Sequence, residues 1–224
     1  MMICIGYIGV EAFDIILYIG KSISKLNYQV LIIDLSDTGA LTKTIYHGMD
    51  LDSRDDIIQY RDLNYTKKIP DEKELKEFED GVLFVVYGFD NIDRYRIHLD
   101  FLNIVVNPFP HNIYKVNSVL HNSSLENINA RVLIRDIVTI DDVDRVIAAI
   151  KSELSPVRTM YLYYDINDYE NALKCQISQA VRFRKISPNM RKIIMTEIGD
   201  LLPNIKPSII RKAVCKARRG DRCR

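Results

Sequence analysis

The residues most able to do chemistry in this chain lie in one short turn and in a carboxylate that follows it. The turn runs over residues 9–14 and contains a glycine and two acidic side chains, Glu11 and Asp14. Asp34 lies near the end of a later apolar stretch. A turn between a strand and a helix can hold a phosphate, because the first N–H groups of the helix are unpaired. The first question about function is whether residues 9–14 can do so.

The elements that would position these residues form one β-α-β unit. Residues 2–8 and residues 29–35 are short and apolar, as buried strands are. Between them, Ile15, Ile19 and Ile23 have the spacing of one helical face. A crossover of this length makes the two strands parallel in one sheet. The turn then follows the first strand, where phosphates bind in sheets of this kind.

Three short motifs carry a resemblance to a known family. Residues 9–14 read G-V-E-A-F-D, residues 30–34 read V-L-I-I-D, and residues 164–173 read Y-D-I-N-D-Y-E-N-A-L. In this order they resemble the ParA/MinD group of deviant P-loop ATPases, whose motifs are G-V-G-K-T-T, V-L-L-I-D and P-Y-D-x-x-V-x-x-A-L. The resemblance implies a three-layer α/β fold, P-loop NTPase-like or Rossmann-like, with a mostly parallel sheet and helices on both faces.

Under this resemblance the turn has lost its chemistry. Glu11 replaces a glycine, Ala12 replaces the phosphate-binding lysine, and Phe13 replaces the hydroxyl that holds magnesium. A P-loop needs glycines that free backbone N–H groups, a lysine for the phosphate charge and a Ser/Thr for Mg²⁺. A carboxylate a few ångströms from a phosphate is repelled by about 1–4 kcal/mol. We predict a vestigial nucleotide loop with no bound cofactor, no metal and no catalytic residue. It comprises Gly9, Val10, Glu11, Ala12, Phe13 and Asp14.

The resemblance implies a function without ATP hydrolysis. The P-loop lysine, its Ser/Thr and the catalytic aspartate, whose place Ser36 takes, are missing, which argues against an enzyme. The expected role is a scaffold or localisation protein acting through protein contacts, by analogy with TadZ/CpaE-type members that position secretion or pilus assemblies. A homodimer across the old nucleotide face is implied, because relatives dimerise there. The partner face would include Asn107, Phe109 and His111, and the candidate ligand contacts are Asp34 and Asp37.

A second interpretation keeps a nucleotide of another kind. Gly6 and Gly9, followed by a helix and a strand with Asp34, resemble part of a dinucleotide-binding fingerprint. In that fingerprint the acid holds a ribose hydroxyl. Cys4 stands where the first glycine would be. A Rossmann-type enzyme or sensor is therefore an alternative function.

The C-terminal residues differ from the rest in charge. Residues 206–224 carry eight Lys or Arg and one acid, a net charge of +7, while the remaining 23 basic and 29 acidic residues give −6. This asymmetry indicates an anionic partner. A basic amphipathic helix can bind an anionic membrane surface weakly, or nucleic-acid phosphates, and a solvated tail is the third alternative. The tail residues are Arg211, Lys212, Lys216, Arg218 and Arg219.

Length and composition predict a single domain with this tail. The chain has 224 residues, of which 47% are hydrophobic, enough for one large core. We expect an α/β domain over residues 1–204 and a basic tail over residues 205–224 that can form a helix. Residues 61–69 have few apolar positions, which predicts an irregular surface segment. The lack of a signal peptide or membrane span predicts a cytoplasmic protein, with the tail able to hold it at the inner membrane face. Four cysteines without metal or disulfide spacing agree with this compartment: Cys4, Cys175, Cys215 and Cys223.

Overall fold

The described part of the chain contains eight strands, which form one sheet. A computed structural model describes residues 2–45, 57–90, 92–95, 97–123, 128–150, 158–181 and 183–219. The strands are β1 (Ile3–Gly9), β2 (Val30–Asp34), β3 (Ile58–Tyr60), β4 (Leu63–Thr66), β5 (Val82–Gly88), β6 (Phe101–Val106), β7 (Asn129–Ile137) and β8 (Arg158–Tyr163). Their order across the sheet is β3-β4-β2-β5-β1-β6-β7-β8. This order places β1 inside the sheet. Every pair of neighbouring strands is parallel except β3 with β4, so the carboxyl ends of the seven strands other than β3 share one edge.

Helices cover both faces of this sheet. The helices are α1 (Phe13–Ser24), α2 (Glu72–Lys76), α3 (Pro110–His121), α4 (Ile140–Ala149), α5 (Ile166–Ser178), α6 (Pro188–Leu201) and α7 (Pro207–Ala217). One apolar core lies between the sheet and α1, α5, α6 and α7, and a second lies between the sheet and α3 and α4. The predicted three-layer α/β fold with a mostly parallel sheet is therefore confirmed.

The predicted β-α-β unit is the centre of the molecule. β1, α1 and β2 follow one another as expected, and β1 and β2 both pair in parallel with β5. Every residue of α1 from Asp14 to Ile23 is buried, because α6 and α7 pack against α1 in addition to the sheet. None of the described helices is long and apolar enough to cross a bilayer.

The prediction of an irregular surface segment over residues 61–69 is wrong. β4 pairs in parallel with β2, and both Leu63 and Tyr65 are buried in the core. Arg61 and Asp62 have φ of 49° and 68°, the geometry of a two-residue hairpin between β3 and β4. The buried ammonium of Lys21 on α1 fixes this turn, since Nζ lies 2.6 Å from the Arg61 carbonyl oxygen and 2.9 Å from Asp62 Oδ2.

The C-terminal basic stretch contains an ordered helix. α7 packs against α1 and α6, and its apolar face contributes Ile210, Ala213, Val214 and Ala217 to the buried interior. Ile209 of the same helix is 47% exposed. A helix that rests on a membrane needs its apolar face free. Because α7 uses that face for packing, it cannot bind a membrane surface in the way predicted for an amphipathic tail. Residues 220–224, which include Cys223, lie outside the described residues.

Candidate functional site

The turn that resembles a P-loop is very short. β1 runs through Gly9 and α1 begins at Phe13, so three residues connect them. One of their amides is already used, because Val10 N donates to the carbonyl oxygen of Val105 at 2.9 Å. The space enclosed by the turn measures about 10 Å³, which is the room taken by a single water molecule. The space enclosed by the turn is therefore smaller than a phosphate group.

Gly6 and Gly9 both lie close to neighbouring parts of the fold. Gly9 has φ of 97°, and a Cβ there would lie 2.1 Å from the backbone oxygen of Val105. Gly6 lies inside β1, where a Cβ would lie 2.6 Å from Leu99 Cδ1. A Cβ at Gly9 would clash with backbone, so close packing requires a glycine there, whereas the Leu99 methyl group near Gly6 ends a flexible side chain. Binding of a dinucleotide through Gly6, Gly9 and Asp34 stays a prediction.

An arginine near the end of β7 binds the turn between β1 and α1. Arg135 donates from Nη1 to Asp14 Oδ1 at 3.0 Å, and from Nη2 to Asp14 Oδ2 at 3.2 Å. It also donates to the carbonyl oxygen of Glu11 at 2.6 Å, and its Nε lies 3.4 Å from Asp136 Oδ2. Burial lowers the pKa of Arg135, but the carboxylates of Asp14 and Asp136 raise it by more than burial lowers it. The pKa therefore lies above its usual value, and the guanidinium stays charged.

The carboxylates of Glu11 and Asp34, which follow β1 and end β2, are both bound by residues of the segment after β2. Asp34 is buried and accepts bonds from Ser36 Oγ at 2.6 Å, Ser36 N at 3.2 Å and Thr42 N at 3.2 Å. The side chain of Glu11 accepts a hydrogen bond from the Thr38 hydroxyl. Burial raises the pKa of both Glu11 and Asp34. Asp37 is exposed. Ligand binding by Asp34 and Asp37 stays a prediction.

A groove of about 650 Å³ opens beside the turn, at the carboxyl ends of β7 and β8 and along α5. We call it the carboxyl-edge groove. Its volume lies in the range of ligand-binding clefts. Arg135 alone is basic among the described residues that line the groove. Its apolar side chains include Phe13, Phe109, Val138, Tyr163, Tyr164, Tyr169 and Leu173, and its acidic side chains are Glu11, Asp14, Asp136, Asp165 and Asp168.

The predicted partner face is divided by the structure. Asn107 is buried, and its Oδ1 accepts bonds from Asn112 Nδ2 at 2.9 Å and Phe109 N at 3.4 Å, which fixes the start of α3. Phe109 is 59% exposed and lines the carboxyl-edge groove. His111 is exposed, with its ring 5.9 Å from that of Phe109. Of the three residues, Phe109 alone lines this groove.

The basic residues of α7 form a separate surface. Arg211, Lys212, Lys216 and Arg219 are exposed, and none of them lines the carboxyl-edge groove. Arg218 is half-buried and donates to the carbonyl oxygens of Phe183 and Arg184, so part of its charge serves the fold. Among the described residues, no group of His, Cys, Asp and Glu is arranged to hold a metal ion.

The order of the strands and the two helical layers match solved ATPases closely enough to define the fold. The chain has the fold of the ParA/MinD ATPases. It matches a chain of the MinC:MinD cell division protein complex of Aquifex aeolicus at 15% identity and a TM-score of 0.61, covering 91% of this chain and 97% of that one. A putative plasmid partition protein of Borrelia burgdorferi bound to AMPPNP matches at 10% identity and 0.57, covering 96% and 99%.

A third solved structure, pNOB8 ParA bound to nonspecific DNA, matches at 11% identity and a TM-score of 0.51, covering 97% of this chain and 98% of that one. Identities this low show the fold alone. No family model matches the sequence. No curated protein matches it either. The predicted resemblance to ParA/MinD proteins is thus confirmed for the fold over nearly the whole chain.

Sequence reasoning missed two parts of the site. The bond from Arg135 to Asp14 joins residues 121 positions apart, and no motif in the sequence indicates it. Tyr164 and Tyr169 of the carboxyl-edge groove lie in the motif over residues 164–173, which does not indicate a groove. A basic residue at the end of one parallel strand and an acid after another were the available signal, because such ends share an edge.

Proposed function

We propose that this protein is a scaffold of ParA/MinD fold that does not hydrolyse ATP and acts through protein contacts. The turn between β1 and α1 carries this proposal. Three residues connect the two elements, the enclosed space is about 10 Å³, and Glu11 places a carboxylate where the family has a glycine. A nucleotide phosphate would need free amides and a cation at this point. Arg135 contacts this turn, but its charge is paired with Asp14 and it donates to the Glu11 carbonyl oxygen.

Without nucleotide chemistry at the turn, the protein would act through contacts with other proteins. The solved MinC:MinD complex is an assembly of a protein with this fold and a second protein. By analogy with the TadZ/CpaE type, we place this chain among proteins that position a larger assembly, such as a secretion or pilus machine. Self-association across the face that includes residues 9–14, residues 36–39 and residues 107–111 belongs to the same proposal, since the exposed apolar side chain of Phe109 lies there.

Titration calorimetry tests the loss of nucleotide binding. The full chain is titrated with ATP and Mg²⁺, and separately with NAD, and its thermal unfolding is followed with each ligand. We expect no binding heat and no rise in the unfolding temperature, because a bound ligand would stabilise the folded state. ATP binding at millimolar or tighter affinity would refute the proposal. NAD binding that is lost in Asp34→Asn would instead support the dinucleotide-binding alternative.

A second candidate function is binding to nucleic acid through α7. Four basic side chains, Arg211, Lys212, Lys216 and Arg219, are exposed on this helix, and pNOB8 ParA has been solved bound to nonspecific DNA. Duplex DNA binding would weaken with salt, with a slope of log K against log salt of roughly −3 to −4 for four phosphate contacts. A variant with glutamine at these four positions should lose the binding. No gel shift of wild type at low salt would exclude this function.

A further inference from the structure

The carboxyl-edge groove has the character of a docking site for another protein. Fourteen large hydrophobic side chains are exposed among the described residues, and six of them line this one groove. The six come from different parts of the chain, which converge at the edge of the sheet. They are Phe109, Val138, Tyr163, Tyr164, Tyr169 and Leu173. A patch of exposed apolar side chains with polar groups around it marks an interaction site.

The charge of the groove selects the kind of partner. Five acidic residues and one basic residue line it, a formal charge of −4. The one cation, Arg135, is held by Asp14 and Asp136 and so cannot pair with an incoming anion. A ligand with phosphates or an acidic surface would be repelled. Lys and Arg side chains would be attracted both by the carboxylates and by the faces of the exposed tyrosine and phenylalanine rings.

We propose that the carboxyl-edge groove binds a basic segment of a partner protein that carries apolar anchor side chains. The apolar walls would bury the anchors, and the acidic residues would pair with flanking Lys or Arg. This inference rests on the proposed function, because a groove that held a nucleotide base would not be free for a protein segment. It goes beyond that function by naming the chemistry of the partner and the surface that receives it.

Two synthetic amphipathic peptides test the proposal. They share one length and one apolar face, and their polar positions carry Lys and Arg in the first and Glu in the second. Binding of each labelled peptide to the full chain is measured by fluorescence anisotropy at low and moderate salt. We expect the basic peptide to bind, with affinity that falls as salt rises, and the acidic peptide not to bind.

Two sets of variants locate the binding. Tyr164→Ser/Tyr169→Ser removes two apolar walls and should weaken binding at least about tenfold, while Tyr114→Ser, 77% exposed on α3 outside the groove, should leave it unchanged. Asp136→Asn/Asp165→Asn removes two negative charges and changes the formal charge of the groove from −4 to −2. Asparagine suits both backbones, since Asp136 has φ of 60° and Asp165 caps α5. The charge-matched control is Glu79→Gln/Asp144→Asn, at two exposed sites elsewhere.

The outcomes separate this inference from the proposed function. Basic-peptide binding that both groove variants weaken, and both controls keep, supports the inference. No binding of the basic peptide, equal binding of the acidic peptide, or equal loss in controls and groove variants would overturn it. ATP titration in the same preparation reads the proposed function separately. If neither ATP nor the basic peptide binds, the scaffold proposal stands and the groove inference fails.

Discussion

Arg135 binds both carboxylate oxygens of Asp14, at 3.0 Å and 3.2 Å, across the turn that joins β1 to α1. The same guanidinium donates to the carbonyl oxygen of Glu11. The two residues lie 121 positions apart in the sequence, and both side chains are largely buried, at 14% exposure for Arg135 and 2% for Asp14. This contact fixes the turn between β1 and α1 against β7 and forms one wall of the carboxyl-edge groove.

Removing the arginine should destabilise the fold strongly. Arg135→Met leaves the carboxylate of Asp14 buried without its partner, which is expected to lower the free energy of unfolding by about 3–5 kcal/mol. Urea denaturation followed by circular dichroism measures this. Arg145→Met is the control, because Arg145 is 61% exposed in its pair with Asp142, and pairs of that kind contribute about 1 kcal/mol or less. Equal losses in the two variants would contradict the assignment.

Gly9 offers a test of whether the turn is shaped by packing. Gly9→Ala would place a methyl group 2.1 Å from the Val105 carbonyl oxygen at φ of 97°. Strain and overpacking together should cost roughly 2–5 kcal/mol of unfolding free energy. Gly199→Ala makes the same chemical change inside α6, where no atom lies within 4 Å of the new Cβ. It should be neutral or stabilise by up to about 1 kcal/mol. A harmless Gly9→Ala would show that the backbone there relaxes freely.

The sequence made the central β-α-β unit predictable because its signals are local. Apolar runs for β1 and β2 and the helical spacing of Ile15, Ile19 and Ile23 all lie within one short stretch. β4 was not predictable in this way. Its hairpin turn uses Arg61 and Asp62 at positive φ, where a pattern search expects Asn or Gly.

The site depended on contacts that no local pattern contains. Asp14 and Arg135 meet only because β6 alone separates β1 from β7 in the sheet. The amphipathic pattern of α7 was read correctly as a helix with one apolar face, but the pattern cannot say what covers that face. The structure supplies the answer, since α1 and α6 pack there.

Two neighbouring isoleucines test whether the apolar face of α7 is needed for the fold. Ile210 is buried, and Ile209 beside it is 47% exposed. Ile210→Ala should lower the free energy of unfolding by about 2–5 kcal/mol through lost burial and a cavity. Ile209→Ala should cost much less, since only part of its side chain leaves water. Chemical denaturation compares the two variants. Similar costs, or a negligible cost for Ile210→Ala, would mean that α7 contributes little to stability.

The pH dependence of stability should reveal the buried carboxyl group of Glu197. Glu197 on α6 lies against the sheet, with Oε2 2.8 Å from Arg131 Nη1 and 3.2 Å from Asn103 Nδ2. Burial raises the pKa of Glu197 above its usual 4.5, and the lowering effect of Arg131 does not cancel this. The folded state therefore holds the proton more tightly than the unfolded state. The stability from this group is present below pH 4.5 and is lost as the pH rises through the folded pKa.

The side chain of Gln in the variant Glu197→Gln cannot titrate, so comparison with wild type isolates the pH-dependent stability that comes from Glu197. The difference in unfolding free energy, wild type minus variant, should fall as the pH rises from 4.5 through the raised pKa. Glu170→Gln is the control with the opposite sign, because a hydrogen bond from Lys174 lowers the pKa of the exposed Glu170. That stability is present above the unfolded pKa and is lost as the pH falls through the folded value. A difference in unfolding free energy between wild type and Glu197→Gln that stays constant with pH would contradict a raised pKa for Glu197.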